Sequence, residues 1–242
     1  MSDNLPYAKA PIIEALLDIR VPMEVGREPL QAMADSLKAE YPTVSDTVEK
    51  DVPPPTEPGA QFFSPGGLKA RREDETRGYR IDPNGLTVSM FRPYSHWADF
   101  RANAKHLWAN FQSYTGASTI SRVGLRFVNL IEVPTEDGGT NLADWFHTSI
   151  SFPESYGVAA AGFAFRLILP LRSVEGWCSL MCAPVDSKET EILKFFLDIH
   201  VYKTLSSPVS SDEAWALFDK LRDEKNHFFE MTITDQTRGL FK

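Results

Sequence analysis

Cysteines, a cationic leader and long apolar runs are scarce or missing in this chain. Only 2 of its 242 residues are cysteine, which predicts a reduced compartment. The first four residues, MSDN, are polar and acidic, so the cationic start of a signal peptide is missing. No apolar run approaches the roughly 20 residues that span a bilayer. The sequence therefore predicts a cytoplasmic protein that does not engage a membrane.

Motifs that identify common enzyme classes are also missing. The chain has no Gly-x-Ser-x-Gly, no P-loop, no HExxH and no dinucleotide-binding fingerprint. Cys178 and Cys182 form neither a CxxC redox pair nor half of a zinc site, because no second Cys or His pair accompanies them. We interpret them as small core residues on one strand. The sequence favours a non-enzyme with no catalytic residue and no cofactor, and leaves an enzyme open as the alternative.

The composition is that of an ordinary globular protein with a surplus of acid. Apolar residues make up 43% of the chain, and 16 Phe and 5 Trp predict a core rich in aromatic rings. The net charge of −8 disfavours general nucleic-acid binding, because like charges repel a phosphate backbone. The same charge suits solubility, and it also suits a basic protein partner.

Two distant parts of the sequence repeat one another. Ile19–Pro22 (IRVP) and Ile131–Pro134 (IEVP) each end an apolar, strand-like run. Each run is followed by a helical pattern with Trp-x-x-Phe and, eleven residues later, another Phe. The residues concerned are Trp97, Phe100 and Phe111 in the first copy, and Trp215, Phe218 and Phe229 in the second. This repetition predicts an internal duplication.

Hydrophobic periodicity predicts the elements of each part. Strands are predicted over 10–22, within 68–93, from 119 to about 131, and over 163–171, 176–183 and 193–203. Helices are predicted over 28–41, 95–113 and 141–146, and from 210 onward. Ser95 is the predicted cap of the second helix, and Ser210 with Glu213 predicts a capping box. Asp82–Gly85 (DPNG) predicts a hairpin turn. The Pro-rich stretch VPPPTEPG predicts a long surface loop at 43–67.

These elements predict an α+β fold of two related halves, residues 1–116 and 117–242. Each half reads as strand, helix, antiparallel strands and long helix, so that helices cover a curved antiparallel sheet. That element order is similar to the TATA-binding-protein-like architecture. The likeness concerns the order of elements and carries no implication of DNA binding.

Two segments resemble the signature segments of a known family. APIIEALLDIRVP at 10–22 and RVGLRFVNLIEVP at 122–134 are similar to segments of a sporadically distributed, largely uncharacterised bacterial and archaeal family of about this length. The tail at 215–238 also fits, so the resemblance covers nearly the whole chain. It implies no accepted activity, cofactor or catalytic residue. Sporadic distribution is typical of mobile bacterial defence and toxin–antitoxin modules.

The best candidates for ligand or partner binding lie on the central strand. Arg122 and Arg126 share one face by period-two alternation, about 13–14 Å apart, and two guanidiniums could hold a phosphate or an acidic patch. Gly124 between them leaves the backbone open to approach. Asn129 falls on the opposite face and needs a hydrogen-bond partner if it is buried. Arg92 could join the arginine pair, and pairing of both arginines with nearby carboxylates is the alternative.

No metal site is predicted, and the lesser candidates for metal ligands are Asp223 and His227. Together with Asp219 they follow one side of the last helix, four residues apart. The outer two lie about 12 Å apart on a straight helix, too far to share an ion. A solvated acidic helix face is the alternative interpretation.

Three functions remain open on these grounds. The first is a non-catalytic binding or regulatory protein that engages a protein partner, such as a toxin or defence effector; a homodimer is also left open. The second is an enzyme acting on a phosphate-bearing ligand such as a nucleotide or RNA, with Arg122 and Arg126 as anion clamps and His200 as acid or base. The third is a sensor that holds a small ligand in a cavity between sheet and helices.

Overall fold

A single antiparallel sheet organises the molecule. The structure, a computed structural model, describes residues 7–47, 66–135, 139–148, 163–185 and 191–242. The strands are β1 Ile12–Arg20, β2 Thr43–Asp46, β3 Leu68–Arg71, β4 Arg77–Asp82, β5 Gly85–Phe91, β6 Ile120–Pro134, β7 Phe165–Leu171, β8 Gly176–Val185 and β9 Ile192–Val209. The helices are α1 Arg27–Ser36, α2 Trp97–Thr115, α3 Leu142–Trp145, α4 Ser211–Thr232 and α5 Asp235–Gly239. The α+β class is therefore confirmed.

The pairing of β1 with β6 places both parts of the chain in the same sheet. The strand order is β2-β3-β4-β5-β1-β6-β9-β8-β7. The β1–β6 register sets Leu17 opposite Leu125 and Asp18 opposite Gly124. The division expected between residues 116 and 117 falls in the link from α2 to β6. The sheet is continuous across that division.

Alternating side chains give the sheet one apolar face and one polar face. On β1 the residues Ala15, Leu17 and Ile19 are fully buried, and on β6 Val123, Leu125 and Phe127 are buried in register with them. α4 packs on β6 and β9, α2 packs on β5, and α1 packs on β3 and α2, and their apolar faces join these residues in one continuous core. We call this the helix side of the sheet and the other the open side. The alternation predicted for both strands is confirmed.

The long helices follow the predicted stripes. Trp97, Phe100, Ala104, Leu107, Trp108 and Phe111 of α2 are all buried. The capping box at the start of α4 is confirmed, because Ser210 and Glu213 each accept from the other's backbone N–H. The predicted cap of α2 is wrong by one residue. His96 is the cap, its Nδ1 accepting from the Asp99 amide, while the Ser95 hydroxyl donates to the Asp99 carboxylate.

The first four residues of the predicted loop at 43–67 form a strand instead. Thr43–Asp46 pair with Leu68–Arg71 as the edge strand β2, and Val44 packs against the core. Local pattern missed this strand because it is only four residues long and its partner lies beyond the Pro-rich stretch. Residues 48–65 of that loop lie outside the described residues.

Both cysteines are buried in the helix-side core, as predicted. Burial raises the pKa of Cys178 to about 12, with smaller contributions from Glu224 and Asp198, and burial alone raises that of Cys182 to about 12. Such thiols stay protonated and unreactive at neutral pH. None of the described helices is long and apolar enough to cross a bilayer.

Candidate binding face of the sheet

Polar side chains collect on the open side, over the middle of the sheet. Period-two alternation brings them from β1, β5, β6 and β9 to one surface. They include Glu14, Asp18, Arg20, Thr87, Ser89, Arg122, Arg126, Asp198, His200 and Tyr202. Several of these side chains are buried although they carry charge. Buried charges are costly unless they are paired, so their contacts decide what this face can do.

Asp18 is the centre of a buried ion-pair network. Its side chain is 4% exposed. Its Oδ1 accepts from the Arg20 guanidinium at 2.5 Å and from the Thr87 hydroxyl at 2.9 Å, and its Oδ2 accepts from Arg122 at 2.8 Å. Arg20 also donates to Asp82 Oδ2 at 2.7 Å. Two carboxylates and two guanidiniums thus balance one another inside the face.

The two arginines of this network differ in their electrostatics. Burial alone lowers the pKa of Arg20, but the Asp18 and Asp82 carboxylates outweigh it and the net pKa is raised. For Arg122, burial outweighs the opposing effect of Asp18 and the neighbouring Arg20 cation adds to it, so the net pKa is lowered. The Arg122 guanidinium lies over the Tyr202 ring, 4.7 Å from the ring centroid, which compensates part of the desolvation.

Arg126 forms a second pair farther along β6. Its Nε contacts both oxygens of Asp198 at 3.0 Å and its terminal nitrogen donates to Oδ2 at 2.6 Å, a fork-shaped contact. Arg122 and Arg126 do lie on one face, as predicted. Each is held by a carboxylate within the sheet, which is the alternative that the sequence left open. Both arginines therefore stabilise the polar face of the sheet through these ion pairs.

Gly124 has a packing role between the two arginines. A Cβ on Gly124 would lie 3.2 Å from Nε2 of His200 and 3.4 Å from Cβ of Tyr202. The missing side chain thus makes room for the His200 ring, which stacks on Tyr202 with centroids 4.6 Å apart. The approach that Gly124 permits is that of a neighbouring strand's side chain.

The other candidates lie away from this network. Asn129 is buried on the helix side, as predicted, where its amide donates to the Leu197 carbonyl at 2.9 Å and more weakly to that of Phe127. Arg92 is exposed just beyond the end of β5. The structure does not bring either residue to the arginine pair.

Asp223 and His227 are exposed on α4. No group of three or more His, Cys, Asp or Glu residues that could hold a metal ion occurs in the described part of the chain. Asp219, the third member of that row, instead accepts from the Trp97 indole and from Arg101, both at 3.0 Å. Asp219 therefore joins α4 to α2.

A groove on the open side lies beside the buried network. It has a volume of about 370 Å³, and the described residues that line it come from β1 through β6. Its charged lining residues are Lys69, Arg71, Arg80, Arg126 and Glu14. The Arg71 guanidinium lies 3.9 Å from the centroid of the Phe91 ring. Sequence reasoning found Arg126 but missed Lys69, Arg71 and Arg80, although Lys69 and Arg71 alternate with buried Leu68 and Ala70 as a half-buried strand requires.

Burial raises the pKa of Glu14 at the edge of this groove, and the cations Arg126 and Arg71 oppose the rise. Ser89, from the adjacent strand, hydrogen-bonds to the same carboxyl. The groove thus combines four cationic side chains with a single carboxyl group of weakened acidity. Its local charge is opposite to that of the chain as a whole.

No protein-family model matches the chain, and a search of the curated proteins finds no relative at a significant level. The resemblance described for residues 10–22 and 122–134 therefore stays a prediction.

Acid is expected to destabilise the protein in part through His200. Burial lowers the pKa of His200 well below its usual value, and Arg122, Arg126 and Arg166 add to the effect. In the unfolded chain His200 binds a proton near pH 6.5, whereas in the folded chain it stays neutral at that pH. The free energy of unfolding therefore falls as the pH drops below 6.5. Urea denaturation measures the free energy of unfolding at pH 7 and at pH 5. The decrease between the two pH values should be smaller for His200→Gln than for the wild type, by up to about 2 kcal/mol.

His147→Gln is the matched control for this experiment, since His147 is exposed just after α3. The loss of unfolding free energy between the two pH values should be smaller in His200→Gln than in this control. Equal losses in His200→Gln and in the wild type would contradict the assignment of a neutral His200.

Proposed function

We propose that the protein is a non-catalytic binding or regulatory protein, and that its open-side groove holds an acidic segment of a protein partner. The observation that supports this most is the charge of the groove: four cationic side chains and one carboxyl line it, in a chain of net charge −8. A local patch of opposite sign steers and orients an oppositely charged partner. The net charge alone suggested a basic partner, whereas the groove favours an acidic one.

Arg122 and Arg126 have a structural role in this surface. Their guanidiniums hold the Asp18 and Asp198 carboxylates, which keeps neighbouring strands in register. Lys69, Arg71 and Arg80, on the outer strands β3 and β4, are the residues that a partner would contact. The Arg71 guanidinium lies over the Phe91 ring. A guanidinium positioned by such a contact loses less conformational entropy when it binds a carboxylate.

The proposed identity of the partner rests on the resemblance of residues 10–22 and 122–134 to segments of the sporadically distributed family. Sporadic occurrence is typical of defence and toxin–antitoxin modules, so we propose a toxin or defence effector as the bound protein. A phosphate-bearing ligand such as a nucleotide or RNA is the alternative occupant, since a cationic groove next to an aromatic ring also suits phosphate.

A matched pair of triple variants tests the proposal. The groove variant combines Lys69→Glu, Arg71→Glu and Arg80→Glu; the control combines Lys9→Glu, Lys38→Glu and Lys220→Glu at exposed positions outside the groove. Both change the net charge equally. Lys69 pairs opposite Arg80, so the groove variant still places like charges opposite each other and keeps that cross-strand relation.

Affinity purification of the tagged proteins from the native host is the measurement. We expect wild type and control to retain a protein in stoichiometric amount, and the groove variant to retain at least tenfold less. Equal recovery with all three proteins would contradict the proposal. Retention of a nucleotide or of RNA in place of a protein, lost in the groove variant, would establish the alternative.

We also propose that the two halves arose by duplication. Read outward from the centre, one side of the sheet runs β1, β5, β4, β3 and the other β6, β9, β8, β7. A helix follows both β1 and β6 in the chain, and a long helix follows both β5 and β9. This matching order supports the TATA-binding-protein-like arrangement expected from the sequence.

A further inference from the structure

A second cavity lies on the helix side, between the start of the described chain, β1, β6 and α4. Its volume is about 410 Å³, within the range of small-molecule sites. It is separated from the groove by the sheet itself. Its lining residues are Tyr7, Ala10, Pro11, Ile12, Asn129 and four residues of α4: Lys225, Asn226, Phe229 and Glu230. Most of this wall is apolar.

Lys225 is the unusual member of this wall. Its side chain is only 8% exposed, because the residue sits on the buried stripe of α4 with Leu221 and Phe229. Its ammonium nitrogen lies 4.1 Å from the centroid of the Phe127 ring. Among the described residues, no carboxylate forms an ion pair with it and no hydrogen bond to its amine is found. A buried amine without a counter-charge among the described residues is costly, so an anion bound beside it would stabilise it.

Glu230 is the one carboxylate that the described residues contribute to the cavity wall, and it is already engaged. Glu230 accepts from the Tyr7 hydroxyl with both oxygens, at 2.8 and 2.9 Å, and from Arg238 Nε at 2.9 Å. Burial, followed by the hydrogen bond to Glu230, raises the pKa of Tyr7 to about 12, so this phenol stays a donor. Asn129 uses its amide on backbone carbonyls. The other charged neighbour of Lys225 is Arg222, which is a cation.

We propose that this cavity binds a small organic carboxylate with an apolar body, and that Lys225 supplies the counter-ion. The apolar wall takes the body of the ligand, and the ammonium group pairs with its carboxylate in a site of low dielectric constant. Asn226, next to Lys225 at the exposed surface of α4, marks the mouth of the cavity. The site is independent of the groove and gives the protein a small-ligand input on the other face of the sheet.

The pH dependence follows from the charges around Lys225. Burial lowers the pKa of Lys225 to about 7; Arg222 adds to this and Glu230 opposes it. A carboxylate needs the protonated amine, and binding it stabilises that form. Above about pH 7 the free protein must take up a proton on binding, so affinity should fall nearly tenfold per pH unit.

Isothermal titration with octanoate and phenylacetate, and with their uncharged amides, tests the proposal. We expect saturable binding of at least one acid and at least tenfold weaker binding of its amide. Lys225→Met should bind the acid at least tenfold more weakly, and its residual binding should not vary with pH. Lys220→Met, on the exposed side of the same helix, should match the wild type.

Three results would overturn the proposal: no saturable binding of either acid, equal affinity of acid and amide, or equal affinity in Lys225→Met. A wild-type affinity that stays constant between pH 7 and pH 9 would also overturn it, and this test needs no variant.

Discussion

Replacing Asp18 with alanine is expected to lower the free energy of unfolding by about 3 to 5 kcal/mol. The Asp18 carboxylate accepts from Arg20, Thr87 and Arg122 and is buried at the seam between β5, β1 and β6. Without it Arg20 keeps Asp82 as a partner, but Arg122 loses the ion pair that opposes its desolvation. A buried cation that has lost its counter-charge costs far more than the pair contributed.

Urea denaturation at neutral pH measures this effect. The matched control is Asp46→Ala, which removes the partner of Arg27 in a largely exposed ion pair. Exposed pairs contribute about 0 to 1 kcal/mol, so the control should unfold close to the wild type. If Asp18→Ala also lay within 1 kcal/mol of the wild type, the network would not stabilise the open side of the sheet.

Replacing Lys225 with methionine is expected to stabilise the protein at pH 7. Burial lowers the pKa of Lys225 from 10.5 to about 7 in the folded state, so at pH 7 the unfolded chain binds more protons than the folded one. Stability of the wild type therefore rises with pH from about 7 to 10.5, and below that window the full cost of burying the amine is present. A fall of the Lys225 pKa from 10.5 to about 7 corresponds to about 3 to 5 kcal/mol of lost stability, and methionine removes this cost while keeping an unbranched, flexible side chain.

The measurement is the free energy of unfolding of variant and wild type from pH 7 to pH 10, and the difference between them should depend on pH. The stabilisation by Lys225→Met should be greatest at pH 7 and below and should fall by up to about 1.4 kcal/mol per unit above pH 7. Other titrating groups are common to both proteins and cancel. A difference that stayed constant from pH 7 to pH 10 would mean that Lys225 has an ordinary pKa in the folded protein.

Local periodicity predicted the central strands because both lie beneath helices on one face only. In β6, Leu125 and Phe127 alternate with Gly124 and Arg126, and this pattern has a single interpretation. The same pattern put both arginines on one face correctly. Their partners could not be predicted, because Asp18 and Asp198 come from β1 and β9, and the register between distant strands is set by the whole sheet.

Lys225 was missed although its signal is visible in the sequence. It lies four residues after Leu221 and four before Phe229, so helical periodicity puts it on the apolar stripe of α4. Lysine is ordinarily assigned to the solvated face, because its long stem lets the amine reach water. Whether the amine escapes depends on what packs above it, here Phe127 of β6, and that contact is tertiary.

The β1–β6 pairing also governs how the protein is made. β1 emerges from the ribosome before its neighbour β6, which lies about a hundred residues later in the chain. Until β6 is synthesised, one edge of β1 has unsatisfied backbone donors and acceptors, and such an edge can pair with a strand of another nascent chain. High contact order of this kind slows folding. During synthesis the chain thus passes through a state with an incomplete sheet, whose unpaired edge can pair with other chains.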